Sequence, residues 1–112
     1  MRFAIPVQDG RLSRHFGHCE RFALVDFDSK LGTVADKEEV KAPPHQPGLL
    51  PRWLAEQRVD VVIAGGMGPR AVSLLAEQGI RVIVGAQATT PDRLVAAYIT
   101  GELKIGENVC DH

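Results

Sequence analysis

Three soft donors fall within five residues: His15, His18 and Cys19, in the spacing His-x-x-His-Cys. Imidazole and thiolate together suit zinc, copper and iron–sulfur-type metals. Phe16 sits between the donors, and Arg11 and Arg14 precede them with only Asp9 opposing. A structural zinc takes four ligands, generally as two separated pairs. Here there is one cluster, with His45 and the pair Cys110-x-His112 as distant additions. The plainer reading is a solvated loop in which Cys19 is a small buried hydrophobe.

A second segment, Gly65-Gly66-Met67-Gly68-Pro69-Arg70, has the composition of an anion site. Its glycines let backbone approach a ligand, amides at a helix start favour negative charge, and Arg70 adds a cation. The bland alternative is a tight strand-to-helix turn. Met67 is either a soft contact for a ligand or a cap on the core. Gly66-x-Gly68-x-x-Ala71 loosely fits a dinucleotide fingerprint. However, no acidic residue ends the next strand, and the chain is short for a full dinucleotide fold. Hydrolysis is poorly served. Asp9 and Asp26 are the carboxylates that could approach each other, Asp60 belongs to the opposite end of the sheet, and no nucleophile elbow is present.

The elements that must position these residues follow from patterning. A strand is expected over 2–7, with Pro6 at its end or where pairing lapses. Residues 8–20 read as a long loop. Strands over 21–28 and 33–40, joined by Ser29-Lys30-Leu31-Gly32, predict an antiparallel hairpin. The charges of Asp36, Lys37, Glu38 and Glu39 suit an exposed edge. A proline-rich loop follows. Leu50, Trp53, Leu54 and Gln57 then predict a helix over 49–58, with Trp53 in the core. The apolar run 59–64 reads as a buried parallel strand. Pro69 opens a helix that Gly79 closes, and a strand follows over 80–84. Thr90 as N-cap, Pro91 and Asp92 open a last helix that Gly101 ends. The order is β-β-β-α-β-α-β-α. Right-handed crossovers make the first strand and the last two parallel neighbours, with the hairpin to one side. In such sheets ligands bind beyond the carboxyl ends of the strands. The loops at 8–20, 65–68 and 85–90 therefore converge.

Composition bounds the rest. With 112 residues, 45% hydrophobic and 24% charged, the chain is expected to form a single domain, its core about 1–105, with a short tail. A net charge of -1 argues against a general nucleic-acid binder. No apolar run reaches the roughly 20 residues of a membrane span. Two cysteines and the absence of a leader pattern predict a cytoplasmic protein with free thiols.

The chain resembles the dinitrogenase iron–molybdenum cofactor biosynthesis family. Arg2-Phe3-Ala4-Ile5-Pro6-Val7, the loop Ser13-Arg14-His15-Phe16-Gly17-His18-Cys19 and Phe22-Ala23-Leu24-Val25-Asp26 carry the likeness. So do the segment from Val62 to Ala71 and the strand over 80–84. The resemblance implies a three-layer ribonuclease-H-like α/β fold, a mixed five-stranded sheet with helices on both faces. It also implies non-enzymatic binding or carrying of a metal–sulfur cluster, either a mixed molybdenum–copper sulfide or an iron–molybdenum cofactor type. The small size looks like the stand-alone branch that includes the orange protein of sulfate reducers, for which a MinD-like ATPase partner is implied. A soft, multiply charged anion suits a rim of Arg11, Arg14 and Arg70, the amides of Gly65, Gly66 and Gly68, and a wall of Phe16 and Met67. His15, His18 and Cys19 would ligate metal or donate hydrogen bonds to sulfide. An interaction module for the ATPase, or a nuclease-like hydrolase, are the alternatives.

Overall fold

The computed structural model describes residues 1–13, 16, 19–44, 46, 48–103, 105 and 106. Its strands are β1 (Arg2–Gln8), β2 (Arg11–Leu12), β3 (Arg21–Asp28), β4 (Thr33–Lys41), β5 (Val61–Ile63) and β6 (Arg81–Ile83). Its helices are α1 (Leu49–Glu56), α2 (Pro69–Glu77) and α3 (Pro91–Thr100). One mixed sheet runs β4-β3-β1-β5-β6. β1 pairs antiparallel with β3 and parallel with β5, so the hairpin lies to one side, as the crossover rule requires.

Alternation along the strands sorts the core onto two faces. Phe3, Ile5, Val25 and Ile63 pack with Leu94 and Val95 of α3. Ala4, Phe22, Leu24 and Val62 pack with Leu54 of α1 and Leu75 of α2. Each large side chain buried this way contributes about 1.5–3 kcal/mol. Helices thus cover both faces. Beyond α3, Gly101 turns the chain at φ 77°. Ile105 then bridges to Ala86, and the Gly106 N–H donates to the Gly85 carbonyl at 2.7 Å. This strap closes over the β6 side.

Several local expectations are revised. Residues 8–20 are not all loop, because Asp9 (φ 54°) and Gly10 (φ 78°) turn the chain back into the two-residue β2. That strand joins the five of the main path. Asp-Gly is a strong two-residue hairpin signal, since both central positions need positive φ. The helix expected over 49–58 ends at Glu56, with Arg58 at φ 62°. Thr90 occupies the N-cap of α3 but makes no side-chain cap bond.

Pro6 sits inside β1 without breaking a ladder. The Met1 carbonyl accepts from Phe27, and that of Arg2 from Asp60, so alternate residues turn their backbone towards β5. Pairing with β5 ends at Ala4, one step before Pro6 would have to donate.

Asp9 and Asp26 do not approach each other. Asp26 opposes Arg2 at the start of β1, and Asp9 follows its end. Arg2 Nε and Nη2 donate to the Asp26 carboxylate at 2.8 and 3.2 Å, and Nη1 donates to the Gln57 carbonyl at 2.8 Å. The Arg2 backbone N–H donates to Asp60 Oδ2 at 2.8 Å. Asp26 and the Gln57 carbonyl hold the Arg2 guanidinium, at the start of the central strand β1, against the end of α1, while Asp9 lies past the strand's other end.

Candidate functional site

The loops expected to converge do so through their backbones. Leu12 donates to the Thr89 carbonyl at 3.0 Å, and Gly85 to the Gly65 carbonyl at 3.1 Å. They pack on one another closely. A Cβ at Gly65 would lie 3.6 Å from the Ala86 oxygen and 3.7 Å from Leu12 Cδ2 and the Ser13 oxygen. Gly65 and Gly66 are buried, and Met67, at 2% exposure, joins the core with Leu75 and Leu54. A Cβ at Gly65 would thus make ordinary contacts with both neighbouring loops. Gly68 is half-buried and caps α2 in an extended conformation (φ -67°).

Beside this junction lies a cleft of about 740 Å3. Phe16 and Cys19 line it from the segment before β3, with Arg21 of β3 and Lys41 at the end of β4. Pro43 and Pro44 form another wall, completed by Leu50 and Pro51 of α1 and by Arg70, Ala71 and Leu74 of α2. Such a volume is in the range of sites for small organic ligands.

Charge is distributed unevenly. Arg2 and Lys37 have carboxylate partners, Asp26 and Asp92, the latter at 3.1 Å. Arg21, Lys41 and Arg70 have none among the described residues. Glu20 is the acid in the lining. The first turn of α2 adds to the positive field. It holds no acidic residue, its N1 is Pro69, and helix geometry gives the N–H groups of Arg70 and Ala71 no intrahelical partner.

The apolar floor has its own support. Phe16, at 5% exposure, meets Phe22 edge-on with centroids 5.8 Å apart, and Phe22 lies 5.7 Å from Trp53. Cys19 Sγ donates to the Phe16 carbonyl at 3.4 Å. Burial pushes the Cys19 thiol up to about 12, from an ordinary 9.0. At neutral pH, with no metal bound, it is a neutral, soft thiol in the wall.

Of the residues expected at the site, Phe16, Cys19 and Arg70 meet at the cleft. Arg11 is exposed on β2 and outside its lining, and Gly65, Gly66 and Met67 lie behind it in the packed junction. Arg14, His15, His18, His45, Cys110 and His112 lie outside the described residues. Among the described residues no three His, Cys, Asp or Glu side chains form a metal-holding group. Sequence reasoning missed Arg21, Lys41 and the proline wall. The hairpin register carried a signal for the first two: antiparallel pairing about a short turn sets residue 21 opposite 41, and both are basic.

Residues 1–101 match the family described as dinitrogenase iron-molybdenum cofactor. An uncharacterised protein of Methanocaldococcus jannaschii is 31% identical over 109 residues, spanning 93% of this chain and 90% of its own. The crystal structure of PH0822 superposes with a TM-score of 0.87 at 31% identity, covering 97% of both chains. The apo form of the orange protein from Desulfovibrio gigas superposes at 0.74, covering 96% of this chain and 93% of that one. At 22% identity the second likeness shows a shared fold.

Proposed function

Because the chain belongs to the dinitrogenase iron-molybdenum cofactor family, with a role related to metal clusters, we propose that it binds and carries an anionic metal–sulfur cluster without turnover. The cargo is a molybdenum-containing sulfide, either mixed with copper or of the iron–molybdenum type. It is held noncovalently in the cleft between the segment before β3 and the start of α2. The observation that supports this most is Arg70. It is a cation without a carboxylate partner among the described residues, on a helix start with open N–H groups, in a cleft that Phe16 and Cys19 also line. Sulfide clusters are large, polarisable anions. They lose little by leaving water for a soft wall, and they gain from fixed positive charge. Arg14, His15 and His18, outside the described residues, are the further candidates that the sequence offers for holding it. The apo form of the orange protein lends the same reading from a related fold. The family match carries a cluster and not a MinD-like ATPase.

The test is reconstitution with tetrathiomolybdate and copper, followed by desalting and a visible spectrum. The wild-type chain retains a coloured species, and Arg14→Ala with Arg70→Ala loses most of it while far-UV circular dichroism is unchanged. Full retention by the double variant would overturn the anion-site reading.

A further inference from the structure

Arg21 and Lys41 are direct partners in the β3–β4 register. Like charges placed opposite one another on a sheet destabilise it. Neither has a carboxylate partner among the described residues to offset that cost. The neighbouring stretch of β4 has the opposite sign, with Asp36, Glu38 and Glu39 exposed along the free edge. Charge therefore shifts along the sheet, from the mainly acidic stretch of β4 to the Arg21–Lys41 pair, where Glu20 is the acid in the cleft lining.

The same lining holds Pro43, Pro44, Leu50 and Leu74, with Glu20 the acid next to Arg21. Prolines have no N–H, so this wall cannot extend a strand ladder to an incoming chain. A visitor must be held by its side chains. The cleft, at about 740 Å3, also exceeds what a few-atom inorganic cluster fills.

We propose that this half of the cleft docks an acidic, aliphatic polypeptide segment of a partner protein. Carboxylates of that segment meet Arg21 and Lys41, and an apolar side chain enters between the prolines and Leu74. The acids of β4 repel such a segment from the rest of the edge and so direct it to the mouth. That the partner is the donor or acceptor of the cluster rests on the cluster reading; the docking itself does not.

The experiment uses the full chain and two short fluorescein-labelled probes, one of alternating glutamate and leucine, the other of alternating lysine and leucine. Fluorescence anisotropy at low salt reads affinity. The glutamate probe binds and the lysine probe does not. Lys41→Glu weakens the glutamate probe about tenfold, as loss of a complementary rim charge should. The same variant unfolds at a higher temperature than wild type, because a carboxylate opposite Arg21 turns a repulsive pair into an attractive one. Leu74→Ser, on the apolar side, also weakens the probe. Equal binding of both probes, or unchanged binding by Lys41→Glu, overturns the proposal. So does a Lys41→Glu variant that loses the cluster but not the probe, which would assign Lys41 to the cargo. A wild-type chain that binds the glutamate probe but retains no cluster upholds the docking groove and refutes the cluster reading alone.

Discussion

Cys19 shows how one residue's environment sets its chemistry. Burial holds the thiol neutral, from an ordinary 9.0 up to about 12. The stability this contributes is complete below pH 9, where the thiol is protonated in folded and unfolded chains alike. It is lost as pH rises from about 9 towards 12, because only the unfolded chain then ionises. Urea unfolding between about pH 8 and 11 should show a steeper alkaline decline for wild type than for Cys19→Val; parallel curves would refute the burial argument. The same environment predicts slow alkylation. In a Cys110→Ala background, iodoacetamide at neutral pH should label Cys19 far more slowly than it labels the urea-unfolded chain. A bound cluster that touches this wall should slow the labelling further.

At the scale of elements, the C-terminal strap depends on one glycine. Gly85 has φ 82°, and a Cβ there would collide with the Gly106 carbonyl. A left-handed conformation and a backbone close approach coincide, so Gly85→Ala must either strain the turn or expel the strap. A loss of roughly 2–4 kcal/mol is expected, read as the urea midpoint, since backbone strain and a lost packing element add. Gly79→Ala makes a useful control. It has φ 78° but open space around its Cβ, so it should cost about 1 kcal/mol. The hairpin makes a matching point. Its charged edge was readable from Asp36 to Glu39, whereas the Arg21–Lys41 pair emerges only once register is known.

At the scale of the whole molecule, a two-sided core folds the chain without its cargo. Phe3, Phe22, Ile5, Leu54 and Leu75 are fully buried between the sheet and its helices, and none of them lines the cleft. Removing the cluster by chelation or acid treatment should therefore leave cooperative thermal unfolding and an unchanged far-UV spectrum. Loading should raise the melting temperature in proportion to the logarithm of free cluster, by mass action. Raised salt should shrink that increment if rim charge captures the cluster as proposed. A chain that unfolds on cluster removal would contradict this separation of fold from cargo. No helix among the described residues is long and apolar enough to cross a membrane.

Element order, the hairpin and the parallel β1, β5 and β6 were legible from periodicity, because a strand needs alternating or continuous apolar runs and a crossover has one hand. Pro69, Gly79, Pro91 and Gly101 marked helix ends for equally local reasons. The family was legible too, in the segments from Ser13 to Cys19 and from Val62 to Ala71. The Asp9–Gly10 turn was legible by its chemistry yet read as loop. What lay beyond local pattern was which groups share a space. Gly65, Gly66 and Met67 have the composition of an anion floor; in the folded chain they are buried and do not line the cleft. Arg21, Lys41, Pro43 and Leu74 are far apart along the chain and carry no motif, and only strand register and helix placement gather them around one volume. Periodicity is a property of neighbours in sequence. A cleft is made by surfaces that meet after those neighbours have folded.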